Sequence, residues 1–334
     1  MAGRALVAVT FSPVDDTMVG DLGDLADVRS TVGAPDDERA RTLEGADVLF
    51  SWNYAKELRP GEGAALGARF VQLISAGADH LAFDQLPRQS VVASNVGAYA
   101  EPMAEHVLSM ALALLKQLPQ GHAKLASGIW DQSMTRRLSG SVCGVLGFGG
   151  IGRATARRMQ ALGARIYAVN TGGRTTDTVE FVGTLDQLDT VLKAADVLVL
   201  CLPLTRRTRG LIGKRELELM KPDAVLVNVG RGGLVVEDDL YDHLRRHPEF
   251  SAGIDTWWGE PFRGGQFSVH RPFFELPNFI GSPHNSALVP GALHEALSAA
   301  LSNIRRFLRG EPVTGIVRSE DYVANSGAAE PREK

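Results

Sequence analysis

The chain has 334 residues, which is enough for two domains of ordinary size. Its content of 44% hydrophobic and 22% charged residues is typical of a soluble globular protein. The formal net charge of −4 argues against general nucleic-acid binding, which favours a basic surface, and no apolar run approaches the roughly 18 residues that a membrane-spanning helix needs.

The amino-terminal residues run directly into a strand-like stretch, which we interpret as the first strand of the fold and not as a signal peptide. The two cysteines, Cys143 and Cys201, each lie in an apolar strand-like run. We therefore expect small buried thiols without a disulfide bond, in agreement with a cytoplasmic location. The sequence contains no CxxC pattern and no histidine cluster with metal-ligand spacing, so we expect no metal site.

In the first hundred residues, short and nearly continuous apolar runs alternate with polar, helix-like segments. Such runs predict buried parallel strands, and their alternation with helices predicts an open α/β sheet. The segment 101–118 is apolar around much of a helix circumference and predicts a buried helix between two domains. The predicted strands here are 5–9, 47–52, 70–75 and 91–94.

A second α/β series follows this helix, and a long helix returns near the end of the chain. The tail after Val323 is small and polar, which predicts disorder. The predicted strands are 141–146, 165–169, 197–202, 224–228, 252–256 and 279–281, and the predicted helices are 151–162, 214–220 and 290–308.

A glycine-rich turn lies between the first strand and the first helix of the second series. Its sequence fits G-x-G-x-x-G in the strand–turn–helix context that a dinucleotide-binding turn requires. Gly147 would permit the tight turn, Gly149 the approach of a pyrophosphate to the backbone, and Gly152 the close packing of helix and strand. The residues expected at the cofactor are Gly147, Phe148, Gly149, Gly150, Ile151 and Gly152.

The next strand ends without the carboxylate that would bind the ribose of NAD. The residues that follow it include Asn170, Thr171 and Arg174, and the first carboxylate is Asp177. A carboxylate repels a 2′-phosphate, whereas arginine, asparagine and threonine can bind one. We therefore predict a preference for NADP, with NAD also possible, and with Arg174 as the main phosphate ligand; the alternative is a solvated loop cation.

Three polar residues, Arg231, Glu260 and His284, follow three later predicted strands. Because ligands of open α/β sheets bind beyond the carboxyl ends of the strands, we expect these side chains to meet in one crevice. Reduction of a 2-keto acid needs a proton donor, which imidazole supplies near neutrality. A carboxylate on its other nitrogen fixes the tautomer, and a guanidinium can bind the substrate carboxylate and polarise the keto oxygen.

These motifs, in the order Arg231, Glu260-Pro261, Pro283-His284, resemble those of the D-isomer-specific 2-hydroxyacid dehydrogenases, a family that includes glyoxylate/hydroxypyruvate reductases and phosphoglycerate dehydrogenases. The resemblance covers nearly the whole chain. It implies that Arg231 binds substrate, that Glu260 orients the histidine and that His284 is the general acid/base. It also implies substrate contacts from Ser75, Ala76 and Gly77, and cofactor contacts from Cys201, Leu202, Pro203, Thr208, Val229 and Asp255.

Some residues allow more than one interpretation. We interpret the other histidines, including His106, as helix or loop residues, although His80 follows the Ser75 loop and could touch substrate. Trp257 and Trp258 would either line the pocket or pack between domains. Asn285 departs from the usual aliphatic neighbour of the histidine. Arg136-Arg137 is interpreted as a solvated face, and the alternative is a contact with an anionic substrate or a partner subunit.

The predicted fold class is α/β, with two doubly wound parallel-sheet domains. A Rossmann nucleotide domain, residues 100–285, is inserted into a flavodoxin-like substrate domain, residues 1–99 and 286–334. The resemblance implies a homodimer and the reduction of a small, glyoxylate- or hydroxypyruvate-like keto acid to the D-2-hydroxy acid, and the residues around Arg174 predict NADPH as the reductant. Phosphite or formate oxidation, and a non-enzymatic cofactor-sensing corepressor, are the alternatives.

Overall fold

The computed structural model describes residues 4–12, 20–261 and 265–322, so the tail after Val323 lies outside the described residues. The chain divides into two compact units, one formed by the described parts of Met1–Ala98 and Pro290–Lys334, the other by Tyr99–Val289. Within the described residues, every helix is too short or too polar to cross a lipid bilayer.

The first unit is built on a five-stranded sheet in which all neighbouring strands are parallel, in the order β2-β1-β3-β4-β5. The central strands are almost wholly buried, which explains their continuous apolar sequences. The strands are β1 (Ala5–Val9), β2 (Ala26–Ser30), β3 (Val48–Ser51), β4 (Phe70–Leu73) and β5 (Val91–Ala93), and the helices are α1 (Asp36–Gly45), α2 (Tyr54–Glu57), α3 (Glu62–Ala65) and, from the end of the chain, α10 (Ala292–Leu308).

The second unit contains a seven-stranded parallel sheet in the order β12-β11-β10-β9-β6-β7-β8. The order reverses between β6 and β9, which produces a crevice at the carboxyl ends of these two strands. The strands are β6 (Val142–Leu146), β7 (Arg165–Val169), β8 (Phe181–Gly183), β9 (Val197–Leu200), β10 (Val225–Asn228), β11 (Ser251–Ile254) and β12 (Phe279–Gly281).

Helices cover both faces of this sheet, because successive side chains of a strand point to opposite faces. Val197 and Val199 belong to the core that contains Met103 of helix α4, whereas Leu198 belongs to the opposite core with Leu240 of helix α9. The helices of the unit are α4 (Ala100–Leu115), α5 (Leu118–Ala126), α6 (Gly150–Ala161), α7 (Leu188–Ala194), α8 (Lys214–Leu219) and α9 (Glu237–Arg246).

The two strand orders confirm the predicted fold class of two doubly wound parallel sheets. We predicted domain boundaries after residues 99 and 285, and the two compact units divide after residues 98 and 289. The segment that follows residue 285 stays with the second unit, where the Ser286 N–H donates to Asp255.

Candidate functional site

The ends of three neighbouring strands carry the three polar residues that the sequence singled out. In the sheet register, Asn228 of β10 pairs with Ile254 of β11, and Gly253 and Ile254 pair with Ile280 and Gly281 of β12. Arg231, Glu260 and His284 follow these strands after three, six and three residues, respectively. All three therefore lie beyond the same edge of the second unit's sheet, as the sequence predicted from the strand ends.

Glu260 and His284 form a direct pair. The Oε1 atom of Glu260 lies 2.7 Å from Nδ1 of His284 and also accepts the backbone N–H of Trp257 at 2.9 Å. The Glu260 side chain is 2% exposed and the His284 side chain 27% exposed. Because the carboxylate oxygen accepts hydrogen bonds, Nδ1 carries the hydrogen, and Nε2 is the nitrogen from which the imidazole can exchange a proton.

The loop that carries Arg231 packs against the backbone of Trp257, just before Glu260. Arg231 donates from Nη1 to the carbonyl of Gly230 at 2.7 Å, and Asn228 donates to the Arg231 carbonyl at 2.9 Å. A Cβ atom at Gly232 would lie 2.3 Å from the carbonyl carbon of Trp257. Only glycine allows this approach, which places the residue after Arg231 directly on the backbone that Glu260 holds.

Asp255 is completely buried just beyond β11. Its carboxylate accepts the backbone N–H groups of Asn285 and Ser286, at 3.1 and 3.3 Å, directly after His284. His284 itself adopts a left-handed backbone conformation with φ of 51°. Asp255 therefore binds the backbone directly after His284. The sequence resemblance had implied only a cofactor contact for Asp255.

A cavity of about 370 Å³ opens beside the Glu260–His284 pair. Its apolar walls are the rings of Trp257, Phe267 and Phe274. Trp257 is buried, donates from Nε1 to the Ser282 carbonyl at 2.8 Å and packs edge-on against Phe267. Of the two roles weighed for the tryptophans, Trp257 lines a pocket, while Trp258 stacks on Phe273 within the core of the unit.

The glycine turn has the geometry that its sequence predicted. Gly147 has φ of 94°, and a Cβ atom there would lie 2.7 Å from the backbone of Cys201. A Cβ atom at Gly152 would lie 2.1 Å from the Gly147 carbonyl oxygen, whereas the space around Gly149 is open. Helix α6 begins at Gly150, and no side chain caps its first N–H groups. These residues fit a pyrophosphate, since open backbone N–H groups at a helix N-terminus bind anions.

The loop after β7 contains the residues predicted to contact the ribose. Asn170 braces this loop, because it accepts the N–H of Gly172 at 3.0 Å and donates to the carbonyl of Arg174 at 2.9 Å. Thr171 and Arg174 are exposed. Asp177 lies 2.7 Å from Arg153. Burial acts to raise the pKa of Asp177, but hydrogen bonds from Thr175 and Arg153 bring it below its ordinary value, so this carboxylate is charged and already paired.

The remaining predicted cofactor residues lie in the loop after β9 and at the end of β10. The thiol of Cys201 is free and half-buried, and burial raises its pKa to about 12. Thr208 is buried and donates to the Pro203 carbonyl at 2.6 Å, which closes the loop beneath the surface. Leu202 is half-buried and Val229 buried. Thr208 thus shapes the loop that the sequence assigned to the cofactor.

The predicted carboxylate-binding loop belongs to the first unit. Ser75, Ala76 and Gly77 follow β4 and are half-buried. The Ser75 hydroxyl donates to the Gly77 carbonyl at 2.9 Å, and the Ser75 carbonyl accepts the N–H of Asn95.

Among the described residues of both units, no group of three histidine, cysteine or acidic side chains could hold a metal ion.

Sequence reasoning missed His106, which contacts Ser282 next to the catalytic candidate. A signal was available, because His106 is spaced by three residues from Met103 and by four from Met110 on one helix face. Both methionines are buried. A histidine in line with buried methionines indicates a polar partner inside the fold.

Comparison with known proteins identifies the family. Residues 108–286 match the model of the D-isomer specific 2-hydroxyacid dehydrogenase, NAD binding domain. The chain is 28% identical to a D-3-phosphoglycerate dehydrogenase of Methanocaldococcus jannaschii over 310 residues, which are 91% of this chain but 58% of that protein. It is 29% identical to a glyoxylate reductase of Thermococcus gammatolerans over 262 residues, 75% of this chain and 77% of the relative.

A solved D-isomer specific 2-hydroxyacid dehydrogenase from Xanthobacter autotrophicus Py2, in complex with NADPH and MES, superposes with a TM-score of 0.77. It is 26% identical and covers 95% of this chain and 98% of its own. The match to the family model and the fold support a nicotinamide cofactor for the second unit. The chain belongs to the D-isomer-specific 2-hydroxyacid dehydrogenase family.

Proposed function

We propose that this protein reduces a small 2-keto acid, of the glyoxylate or hydroxypyruvate type, to the D-2-hydroxy acid, with NADPH as the reductant. The observation that carries the proposal is the contact of 2.7 Å between the buried carboxylate of Glu260 and Nδ1 of His284. The glyoxylate reductases among the relatives support this substrate type. A D-3-phosphoglycerate dehydrogenase is also a relative, and this chain covers 58% of its length, so 3-phosphohydroxypyruvate is tested as a substrate as well.

In this proposal, bound NADPH supplies the hydride. Glu260 holds the Nδ1 hydrogen of His284, so the imidazole delivers its Nε2 proton to the keto oxygen as the carbon is reduced. Arg231 binds the substrate carboxylate with its guanidinium. In the reverse direction, neutral His284 accepts the hydroxyl proton.

The NADP preference depends on the loop after β7. No carboxylate stands where the strand ends, and Asp177 is paired with Arg153. Arg174 is exposed and its backbone is fixed by Asn170. An arginine held in this way can pair with a 2′-phosphate. Between the end of β7 and Asp177 the chain has no carboxylate that would repel this phosphate.

A second candidate substrate class is favoured by the aromatic cavity. The cavity volume of about 370 Å³ is far larger than the volume that the few heavy atoms of glyoxylate fill. Pockets of roughly 300–1,000 Å³ hold drug-sized ligands. Trp257, Phe267 and Phe274 would pack against a phenyl or indole group. A 2-keto acid with an aromatic side chain is therefore the alternative to the small keto acids.

We also propose a homodimer, with a second copy of this chain over the exposed apolar side chains of the segment 118–134. Leu118, Leu125, Trp130 and Met134 are exposed, and Trp130 is 79% exposed. Several large apolar side chains so close in sequence are unusual on a monomer surface and mark an interaction site. Light scattering coupled to gel filtration tests this part, since a monomer mass at micromolar concentration would contradict it.

A parallel assay tests the proposed reaction. Glyoxylate, hydroxypyruvate, phenylpyruvate and 3-phosphohydroxypyruvate are each assayed for oxidation of NADPH and of NADH, and phosphite and formate are assayed for reduction of NADP and NAD. The proposal expects the highest kcat/KM for glyoxylate or hydroxypyruvate with NADPH. Preference for phenylpyruvate would select the aromatic alternative, and turnover of phosphite or formate alone would overturn the proposal.

A further inference from the structure

A chain of hydrogen bonds joins helix α4 to the backbone beside His284. His106 on α4 has Nε2 at 2.9 Å from the Ser282 hydroxyl and at 3.7 Å from Oδ1 of Asp255. Ser282 donates its hydroxyl hydrogen to Oδ1 of Asp255 at 2.5 Å. Since that hydrogen is committed to Asp255, Nε2 of His106 supplies the hydrogen of the first bond, which fixes the tautomer of His106.

The chain of bonds ends at the residues that follow His284. Asp255 accepts the N–H groups of Asn285 and Ser286, and the N–H of His284 donates to the Ser282 carbonyl at 3.0 Å. His284 has φ of 51°, a left-handed conformation that is strained for a residue with a side chain. A strained conformation of this kind persists only where its surroundings hold it, and here the bonds to Asp255 and Ser282 do so.

We propose that His106 is a positioning residue for the general acid His284. It acts through Ser282 and Asp255, which hold the His284 backbone in the conformation that keeps Nδ1 on Glu260. This inference depends on the proposed function of His284. It leaves room for the cofactor contact implied for Asp255, because Oδ1 accepts two hydrogen bonds and Oδ2 only the one from Ser286 among the described residues.

Helix α4 is suited to this role. Its side chains Met103, Val107 and Met110 are buried against the core of the sheet, so the backbone around His106 is rigid. The His106 side chain is only 24% exposed, and Asp255 is fully buried. Loss of His106 would remove the hydrogen bond that the Ser282 hydroxyl oxygen accepts, so Ser282 would hold the Asp255 carboxylate less firmly.

The test compares His106→Ala with His106→Gln, whose side-chain amide can still donate to Ser282. The control is Ser109→Ala on the same helix, where the hydroxyl bonds only to the Glu105 carbonyl among the described residues. We expect His106→Ala to lower kcat about tenfold, the equivalent of one hydrogen bond to a charged network. KM for the keto acid and Kd for NADPH stay within about twofold. His106→Gln restores most of kcat, and Ser109→Ala matches the parent protein.

A readout that needs no turnover separates this inference from the proposed function. In ¹⁵N-labelled protein, the imidazole of His284, assigned with His284→Gln, shows a single Nδ1–H tautomer. In His106→Ala, we expect the ring nitrogen shifts of His284 to become an average over two tautomers. In His106→Gln, we expect the shifts of the single Nδ1–H tautomer to be preserved. Unchanged His284 signals in His106→Ala would overturn the positioning role. An equal fall of kcat in His106→Ala and His106→Gln would also overturn it, as would a higher KM or Kd with kcat unchanged. Absence of keto-acid turnover in the parent protein would overturn the proposed function and leave the NMR comparison to decide the positioning.

Discussion

The charge of Glu260 is the most specific element of the proposed site, and Glu260→Gln removes it with little change in shape. The amide oxygen can still accept the hydrogen bonds from Trp257 N–H and His284 Nδ1, now 2.9 and 2.7 Å long. What is lost is the anionic partner of an imidazole that becomes charged. A net hydrogen bond to a charged group contributes about 1.5–3 kcal/mol, against about 0.5–1.5 kcal/mol for a neutral pair.

The difference of about 1–1.5 kcal/mol predicts a fall of about five- to fifteenfold in kcat for keto-acid reduction. The assay is steady-state oxidation of NADPH, with the Kd of NADPH measured separately by fluorescence quenching. Glu237→Gln is the matched control, because Glu237 also holds a histidine, His270, at 2.9 Å, but after a different strand of the same unit. A kcat of Glu260→Gln within twofold of that of the control would refute the role of the charge.

Three further predictions concern other parts of the same unit. Arg231→Ala is expected to lower kcat/KM for the keto acid by roughly 10²-fold with an unchanged Kd for NADPH, and a loss in cofactor affinity alone would contradict its substrate role. Arg174→Ala is expected to weaken NADPH about tenfold and NADH hardly at all, with Arg165→Ala at the start of β7 as control, and an equal loss for both cofactors would contradict the phosphate role. Burial, with the positive charges of His247 and Arg246, lowers the pKa of His243 to about 4, and its ring nitrogens have no hydrogen-bond partner among the described residues. The unfolded chain binds this proton near pH 6.5, so the free energy of unfolding falls by up to about 3 kcal/mol between pH 6.5 and 4, and His243→Phe, compared by urea unfolding, should lose this part of the acid sensitivity.

The sequence predicted the strands that read as short apolar runs. The strands 5–9, 165–169 and 279–281 were predicted with the bounds that the structure gives, because parallel strands covered by helices read as continuous apolar runs. The strand Ala26–Ser30 was missed, since Asp27 and Arg29 interrupt its apolar sequence. Helix α9 was missed for a related reason, because its apolar residues are few among ten positions.

The polar site was predictable in its residues but not in its contacts. Arg231, Glu260 and His284 could be named because each follows a strand end, and the parallel register brings those ends together. The bond from His106 to Ser282 joins residues 176 positions apart, and no local pattern encodes it. The aromatic cavity likewise depends on Phe267 and Phe274, which lie in the irregular segment between β11 and β12.

The most direct test of the central claim is the turnover of His284→Gln, measured with saturating NADPH and keto acid and with the Kd of NADPH determined in parallel. Loss of a general acid lowers the rate by roughly 10²–10⁴-fold. We expect a fall in kcat of that size for His284→Gln, while NADPH affinity stays within about twofold. A kcat close to that of the parent protein would show that the proton comes from another group and would contradict the account.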